Sequence, residues 1–363
     1  MSQPRAIDLR SDTATRPTAE MRRAMAEAKV GDDVLDEDPT INELQEKIAA
    51  RLGKEAALFV PSGTMSNQIG VRVHCRPADE FICEAQCHIY NYEQGAYAAL
   101  SGLAVRPVEG NFGVLEPEQL AGLIRADNEH LVRTRLLCLE NTHNRGGGRV
   151  LPYDGLAAVC GWARANGLAT HLDGARLFNA EVASGIAVDQ WAQHFDTVSV
   201  CFSKGLGAPV GSALCGPRDL MKQARRHRKL FGGGMRQAGI IAAGALYALE
   251  HHVERLAEDH VNARRLGEAI RGIDGLELCP PEIDTNLVIF RVDPTLGTAA
   301  EFSSRLKQQH VLISAFGPQM MRAVTHLDVS SADMDVAASV LEKSAREALR
   351  TPRSPVEKAG AYV

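Results

Sequence analysis

The sequence predicts an α/β protein: a large unit with a mostly parallel sheet covered by helices, then a smaller α+β unit. Three observations point there. Short apolar runs of strand length alternate with helix-period stretches over the first two-thirds of the chain. Near residue 235 an Ala- and Leu-rich helical stretch replaces that alternation. The chain has 363 residues, 45% hydrophobic and 23% charged, which is ordinary globular composition with room for two domains.

Met21, Ala24, Met25 and Ala28 recur at helical spacing, and so do Ile41, Leu44, Ile48 and Leu52. The second of these helices opens on Thr40-Ile41-Asn42-Glu43, which reads as a capping box. Buried strands are expected at 56–60, 80–83, 136–139, 169–172, 198–202 and 212–214, with helices between several of them, as at 153–166 and 217–230. Strands separated by helices imply parallel neighbours with both faces covered. One long helical stretch is expected over 237–273, then a strand (286–292), a helix (298–310), two short strands and a final helix (331–350). The expected units are therefore 1–250, 251–350 and a mobile Pro-, Arg- and Ala-bearing tail at 351–363.

The formal net charge of -5 argues against a nucleic-acid binder and gives no reason for attraction to anionic membranes. The basic run 222–229 lacks interleaved aromatics and reads as a solvated helix face. The longest apolar stretch, 239–249, is too short to span a bilayer. Residues 1–10 are polar and lack the apolar core of a signal peptide. The eight cysteines are scattered, several inside apolar runs, and form no CxxC pair. A cytoplasmic chain with reduced thiols is expected.

Four segments could carry chemistry. In the first, the strand around 198–202 ends at Ser203-Lys204-Gly205-Leu206-Gly207. A lysine at a core edge is costly as a cation, and a neutral amine is what Schiff-base chemistry needs. In the second, an apolar strand ends at His171-Leu172-Asp173-Gly174-Ala175-Arg176. An aspartate and a lysine at neighbouring strand ends are the two poles of a pyridoxal phosphate site. The lysine forms the imine, and the carboxylate keeps the ring nitrogen protonated. In the third, Pro61-Ser62-Gly63-Thr64 joins a strand to a helix, and Ser62, Gly63 and Thr64 would cradle a phosphate. In the fourth, Cys87-His88-Ile89-Tyr90 sets an aromatic histidine after a strand, where it could stack on a cofactor ring. Cys83, Cys87 and His88 lack a fourth ligand at zinc spacing, so no metal is expected.

Further motifs fall in order with these four: Asp8-Leu9-Arg10-Ser11-Asp12-Thr13, Gly31-Asp32-Asp33-Val34, Glu140-Asn141-Thr142-His143 and Gly232-Gly233-Gly234-Met235-Arg236-Gln237. Together they resemble the low-specificity L-threonine aldolases of the β-eliminating lyase group, from about Asp8 to the final helix. The resemblance implies the aminotransferase-like fold of pyridoxal phosphate enzymes of fold type I. It implies retro-aldol cleavage of L-threonine or L-allo-threonine, and of other β-hydroxy-α-amino acids, to glycine and an aldehyde, with pyridoxal 5'-phosphate as cofactor. By similarity Lys204 is the Schiff-base lysine, Asp173 the partner of the ring nitrogen, and Gly63 and Thr64 phosphate binders. His88 would stack on the ring and take the hydroxyl proton, with His130 resembling a second histidine near that hydroxyl. Ser11, Arg176 and Arg322 resemble the clamp for the substrate carboxylate. Lys229 matches a lysine that reaches a neighbouring subunit's cofactor site, which implies a homodimer or homotetramer.

The sequence departs from the family's pattern at two places. Leu35 and Asp36 stand where Tyr-Gly is usual, and Cys87 precedes the stacking histidine where a small polar residue is common. The first removes an aromatic wall and bears on side-chain preference. Other readings stay open from the residues: a β-eliminating lyase, a transaminase, or a cofactor-binding protein without catalysis. A dinucleotide enzyme is disfavoured, because Gly205-x-Gly207-x-x-x-Gly211 has one residue too many for the GxGxxG turn.

Overall fold

The computed structural model describes residues 5–350; the tail expected at 351–363 lies outside the described residues. In chain order the strands are β1 (Ile7–Asp8), β2 (Ala56–Val60), β3 (Asp79–Glu84), β4 (Ala104–Val108), β5 (Arg133–Glu140), β6 (Ala169–Gly174) and β7 (Thr197–Cys201). They continue with β8 (Ser212–Gly216), β9 (Leu276–Leu278), β10 (Leu287–Val292), β11 (Val311–Leu312), β12 (Ser314–Ala315) and β13 (Met320–Val324). The large sheet has seven strands in the order β2-β8-β7-β6-β5-β3-β4. β3, β4, β5, β6 and β7 pair parallel, and β8 is antiparallel to both of its neighbours. β3, β7 and β8 are buried along their whole length, as strands covered on both faces must be.

β4 escaped the hydrophobic pattern. It is an edge strand, half-buried, and carries Pro107, which only an edge tolerates without losing a ladder bond. A smaller antiparallel sheet, β12-β13-β10-β9, forms the second layer system. The expected single helix over 237–273 is two helices, Gly239–His251 and Leu256–Arg271. The break is pinned by His252, buried, whose Nδ1 lies 2.7 Å from the carbonyl oxygen of Leu206.

The expected capping box at Thr40 is also corrected. Asp38 is the N-cap of the helix Pro39–Arg51 and accepts from the Ile41 amide at 3.1 Å, with Pro39 in the first turn. Thr40 instead donates its hydroxyl to the Lys29 carbonyl at 2.7 Å, and Glu43 pairs with Lys47. The other oxygen of Asp38 accepts from the Gly239 amide, so one carboxylate serves two helix starts.

The two largest of four hydrophobic clusters among the described residues hold these layers. One gathers Phe59, Leu137, Leu172, Trp191, Val200 and Phe202 around the large sheet. The other gathers Leu266, Phe290, Phe302, Met334 and Leu341. Ile7 and Leu9, placed by the sequence with the large unit, pack into the second core, because β1 pairs parallel with β11. The chain thus crosses from the small core to the large one immediately after Leu9, and residues 10–15 lie between the two. All eight cysteines are free thiols, and no helix among the described residues is long and apolar enough to cross a membrane.

Candidate active site

β5, β6 and β7 run side by side, so their C-terminal ends share one rim of the sheet, where open α/β sheets bind ligands. Glu140 and Asp173 face each other in register at that rim. Lys204 follows three residues after the end of β7. These residues open on a cavity of about 400 Å³ that Ser11, His88, Tyr92, Arg145, Arg176, Phe316 and Arg322 also line.

Asp173 forms the floor. Its carboxylate is 2% exposed and accepts from the Asn67 amide nitrogen at 2.8 Å and the Ala175 backbone N–H at 3.1 Å. Burial works against its charge, but His88, Lys204 and these donors outweigh it and hold the carboxyl below the ordinary range. The orientation of Asn67 is itself enforced. Its amide nitrogen also donates to Glu93 at 3.0 Å, and its carbonyl oxygen faces Nε2 of His171 at 3.2 Å. His171 is fully buried, and burial pushes its pKa down to about 3, so it stays neutral. With Nε2 donating to Asn67, its Nδ1 accepts from the Thr197 hydroxyl at 2.9 Å. Gly70 makes room for this imidazole: a Cβ there would lie 2.4 Å from the ring.

His88 begins a short helix, His88–Asn91, whose first amide donates to Glu140 at 2.7 Å. Its Nδ1 lies 3.0 Å from buried Glu93, which accepts and so fixes the proton on Nδ1. Nε2 is left with its lone pair. Burial alone would lower the pKa of His88, but the Glu93 bond and the Asp173 and Glu140 charges raise it above the ordinary value. Tyr92 stands beside it, with ring centroids 5.7 Å apart.

The opposite wall is cationic. Arg176 binds Asp12 through Nε at 2.7 Å and one terminal nitrogen at 2.8 Å. Asp12 is fully buried; burial opposes its charge, yet Arg176 and Lys204 hold the carboxyl well below the carboxylate range. The second terminal nitrogen of Arg176 remains for a ligand. Arg322 reaches across from β13, donating to the Asn144 side chain at 3.0 Å and toward the Arg10 carbonyl at 3.4 Å. Its Nε is buried without a partner. Burial, and next the Arg176 charge, lower its pKa. Ser11 caps the turn Asp12–Ala14 and sits 2.8 Å from the Thr13 hydroxyl.

Ser62 is the N-cap of the helix Gly63–His74, and its hydroxyl accepts from Met65. The first intrahelical bond is donated by Ser66 to the Ser62 carbonyl, so the Gly63 and Thr64 amides precede it and stay free. Gly63 lies against the end of β7; a Cβ there would stand 2.8 Å from Cys201 Sγ. The helix start therefore opens beside the loop that carries Lys204, and four residues on the same helix delivers Asn67 to Asp173.

These features fit pyridoxal phosphate: a buried ionised carboxylate for a ring N–H, an amine at the adjacent strand end, an aromatic ring over the cavity and a free helix start for an anion. Two expected site residues are not brought there within one chain. His130 is 84% exposed in a polar surface segment, its ring 3.8 Å from Glu129 and its backbone N–H donating to Asn128 Oδ1 at 3.0 Å. Lys229 lies on the last turn of the helix Arg218–Leu230, in a different, basic cavity with Val34, Arg225 and Gly234. Sequence reasoning missed Asn67, Glu93, Glu140 and His171. One signal was available: Ser66-Asn67-Gln68 places three consecutive polar residues on a helix, all buried.

Residues 8–293 match the family model of the β-eliminating lyases, and the chain belongs to that family. Within it, the chain is 45% identical over 336 residues to the low specificity L-threonine aldolase of Escherichia coli, covering 92% of this chain and 97% of that one. It is 40% identical over 345 residues to low-specificity L-threonine aldolase 1 of Arabidopsis thaliana, covering 94% and 96%. The fold superposes on the threonine aldolase of Leishmania major with a TM-score of 0.81 at 20% identity, over 93% of this chain and 99% of that one.

Proposed function

We propose that this protein is a pyridoxal phosphate-dependent aldolase that cleaves L-threonine and L-allo-threonine to glycine and acetaldehyde. One observation carries the reading: a buried, ionised Asp173, the Lys204 amine and a two-arginine wall line a single cavity. Bound pyridoxal phosphate supplies the electron sink for the pair left on Cα when the Cα–Cβ bond breaks.

The residues divide the rest of the work. With the cofactor bound, the Lys204 amine would be the group that holds it covalently. Asp173 would keep a proton on the ring nitrogen, and the amides of Gly63 and Thr64, with Ser62 ordering their turn, would hold the phosphate. Arg176, Arg322 and Ser11 bind the substrate carboxylate, and a planar guanidinium matches that group in two-point fashion. Clamping the carboxylate fixes the substrate's orientation about Cα and so would select which of its bonds is placed to break. His88, proton fixed on Nδ1, accepts the β-hydroxyl proton at Nε2 as the carbonyl of the aldehyde forms.

The active assembly is a homodimer or homotetramer, in which Lys229 of one copy reaches the cofactor site of another. The basic cavity around Lys229, which exposed Val34 and Leu230 also line, supports that reading. A cytoplasmic setting agrees with eight free thiols. The test is to incubate purified protein and cofactor with L-threonine and L-allo-threonine separately and to measure acetaldehyde. Aldehyde from either substrate is expected, and the ratio reports the stereochemical preference. Ammonia and a keto acid instead would move the chain to β-elimination.

A further inference from the structure

The cavity holds one more cation than cleavage of threonine requires. Asp173 answers the ring nitrogen, Asp12 answers Arg176, and a substrate α-carboxylate answers Arg322. Arg145 remains, and no carboxylate lies within ion-pair distance of it among the described residues, although it lines the same cavity.

Its position is built. The segment 141–149 is tied down by the Asn141 amide on the Asp173 carbonyl at 3.0 Å, by the bridge between His143 and Arg149, and by buried His143 beside Glu84 at 2.9 Å. At its tip the Arg145 guanidinium lies 4.5 Å from the Phe316 ring centroid and 6.0 Å from that of Tyr92. Contacts to rings occupy the faces of a guanidinium and leave its in-plane N–H edge for hydrogen bonds. Among the described residues that edge makes one hydrogen bond, to the Phe316 carbonyl at a marginal 3.4 Å. Tyr92 belongs to the floor beside His88, whereas Phe316 follows β12 of the small sheet. Arg145 is therefore held at the mouth of the cavity that Arg322 also lines, between Tyr92 of the floor and Phe316 beside the small sheet. The Arg145 charge also adds to the repulsion that Arg322 suffers, a strain that a bound anion relieves.

We infer that Arg145 forms a second anion subsite, which recognises an acidic group on the β-substituent and admits β-hydroxy-α-amino dicarboxylic acids as substrates. With 3-hydroxyaspartate the hydroxyl proton leaves to His88, the Cβ–O bond becomes a carbonyl and the Cα–Cβ bond breaks. Its electron pair stays on Cα and takes up a proton, so the products are glycine and glyoxylate. This rests on the aldolase reading for turnover, but not for binding.

The test uses the cofactor-loaded enzyme, its Arg145→Met variant and its Arg145→Lys variant. Glycine release is measured from L-threonine and from L-3-hydroxyaspartate. Binding of L-aspartate and L-alanine, which have no hydroxyl to cleave, is measured by calorimetry. In Arg145→Met, kcat/KM on hydroxyaspartate is expected to fall about tenfold or more while threonine changes by less than about twofold; Arg145→Lys retains part of the preference. L-Aspartate should bind the parent enzyme more tightly than L-alanine, and Arg145→Met should erase that difference. Equal loss on both substrates would make Arg145 a structural strap, and no aspartate preference in the parent would also overturn the subsite. Arg145-dependent aspartate binding without glycine release would keep the subsite and sink the aldolase reading.

Discussion

The floor and the mouth of the cavity are built on opposite principles. At the floor, Asp173, Asn67, His171, Glu93 and the proton-bearing edge of His88 form one connected network, nearly all of it buried. Each side chain has its orientation dictated by the next. At the mouth, Arg322 and Arg145 are half-buried and reach amide and carbonyl oxygens rather than carboxylates. The floor is complete before any ligand arrives; the mouth is completed by the ligand. The contrast assigns reaction chemistry to the strand ends of the large sheet and substrate choice to loops and the small sheet.

That division is open to breaking. The largest effect is expected from Lys204→Ala, which should lower glycine formation by on the order of a thousandfold or more, since among the described residues no other amine of the same chain lines the cavity. Near-normal release would remove the floor from the chemistry. Next, Arg176→Met leaves Asp12 buried and unpaired, so it should cost about 3–5 kcal/mol in denaturant unfolding as well as substrate binding. The sign with pH follows. Asp12 is held below its unfolded value of about 4, so its stabilisation is present above that pH and fades as the pH falls toward the folded value. Equal stability of parent and variant at pH 7 would refute the pairing argument.

At the mouth, Arg322→Lys should raise KM for threonine about tenfold with a smaller change in kcat, because it weakens a two-point contact and leaves the floor intact. A kcat loss with unchanged KM would place Arg322 in the chemistry. A subtler effect sharpens the role of His88. Its pKa is raised, so the base form grows in with pH, and the rate should climb through a midpoint above the ordinary value of about 6.5. Glu93→Gln should move that midpoint to lower pH; an unmoved midpoint would mean that another group titrates. The smallest effect lies away from the cavity. Asp38→Ala should cost about 1 kcal/mol of stability and Glu43→Ala much less, the order set by which residue caps the helix.

Much was legible before any coordinates. Strands at the sheet centre are short unbroken apolar runs, and period alone located β2, β3, β5, β6, β7 and β8 within a residue or three. Lys204 and Asp173 stood out because charged side chains ending such runs demand a reason. β4 and β9 did not stand out, since an edge strand with Pro107 and a three-residue strand carry too little pattern. The Thr40 capping box failed because two acceptors competed for one helix start, and Asp38 with Pro39 was the better start.

Local chemistry, written in periods of two and 3.6 residues and in turn residues, was therefore enough to locate six of the seven strands of the large sheet, their order along the chain and the residue types at their ends. Partners across long stretches of chain were decided only by folding. Asn67 meets Asp173 across 106 positions, and Arg228 meets Asp33 across 195. Arg145 faces Phe316 across 171. The burial of Ile7 and Leu9 in the small core belongs to the same kind. A buried polar group must find a partner, but its own neighbours in sequence do not say which one. That choice is made when the two cores pack and the strand ends come together, and it converts a lysine, an aspartate and three arginines into a single cavity.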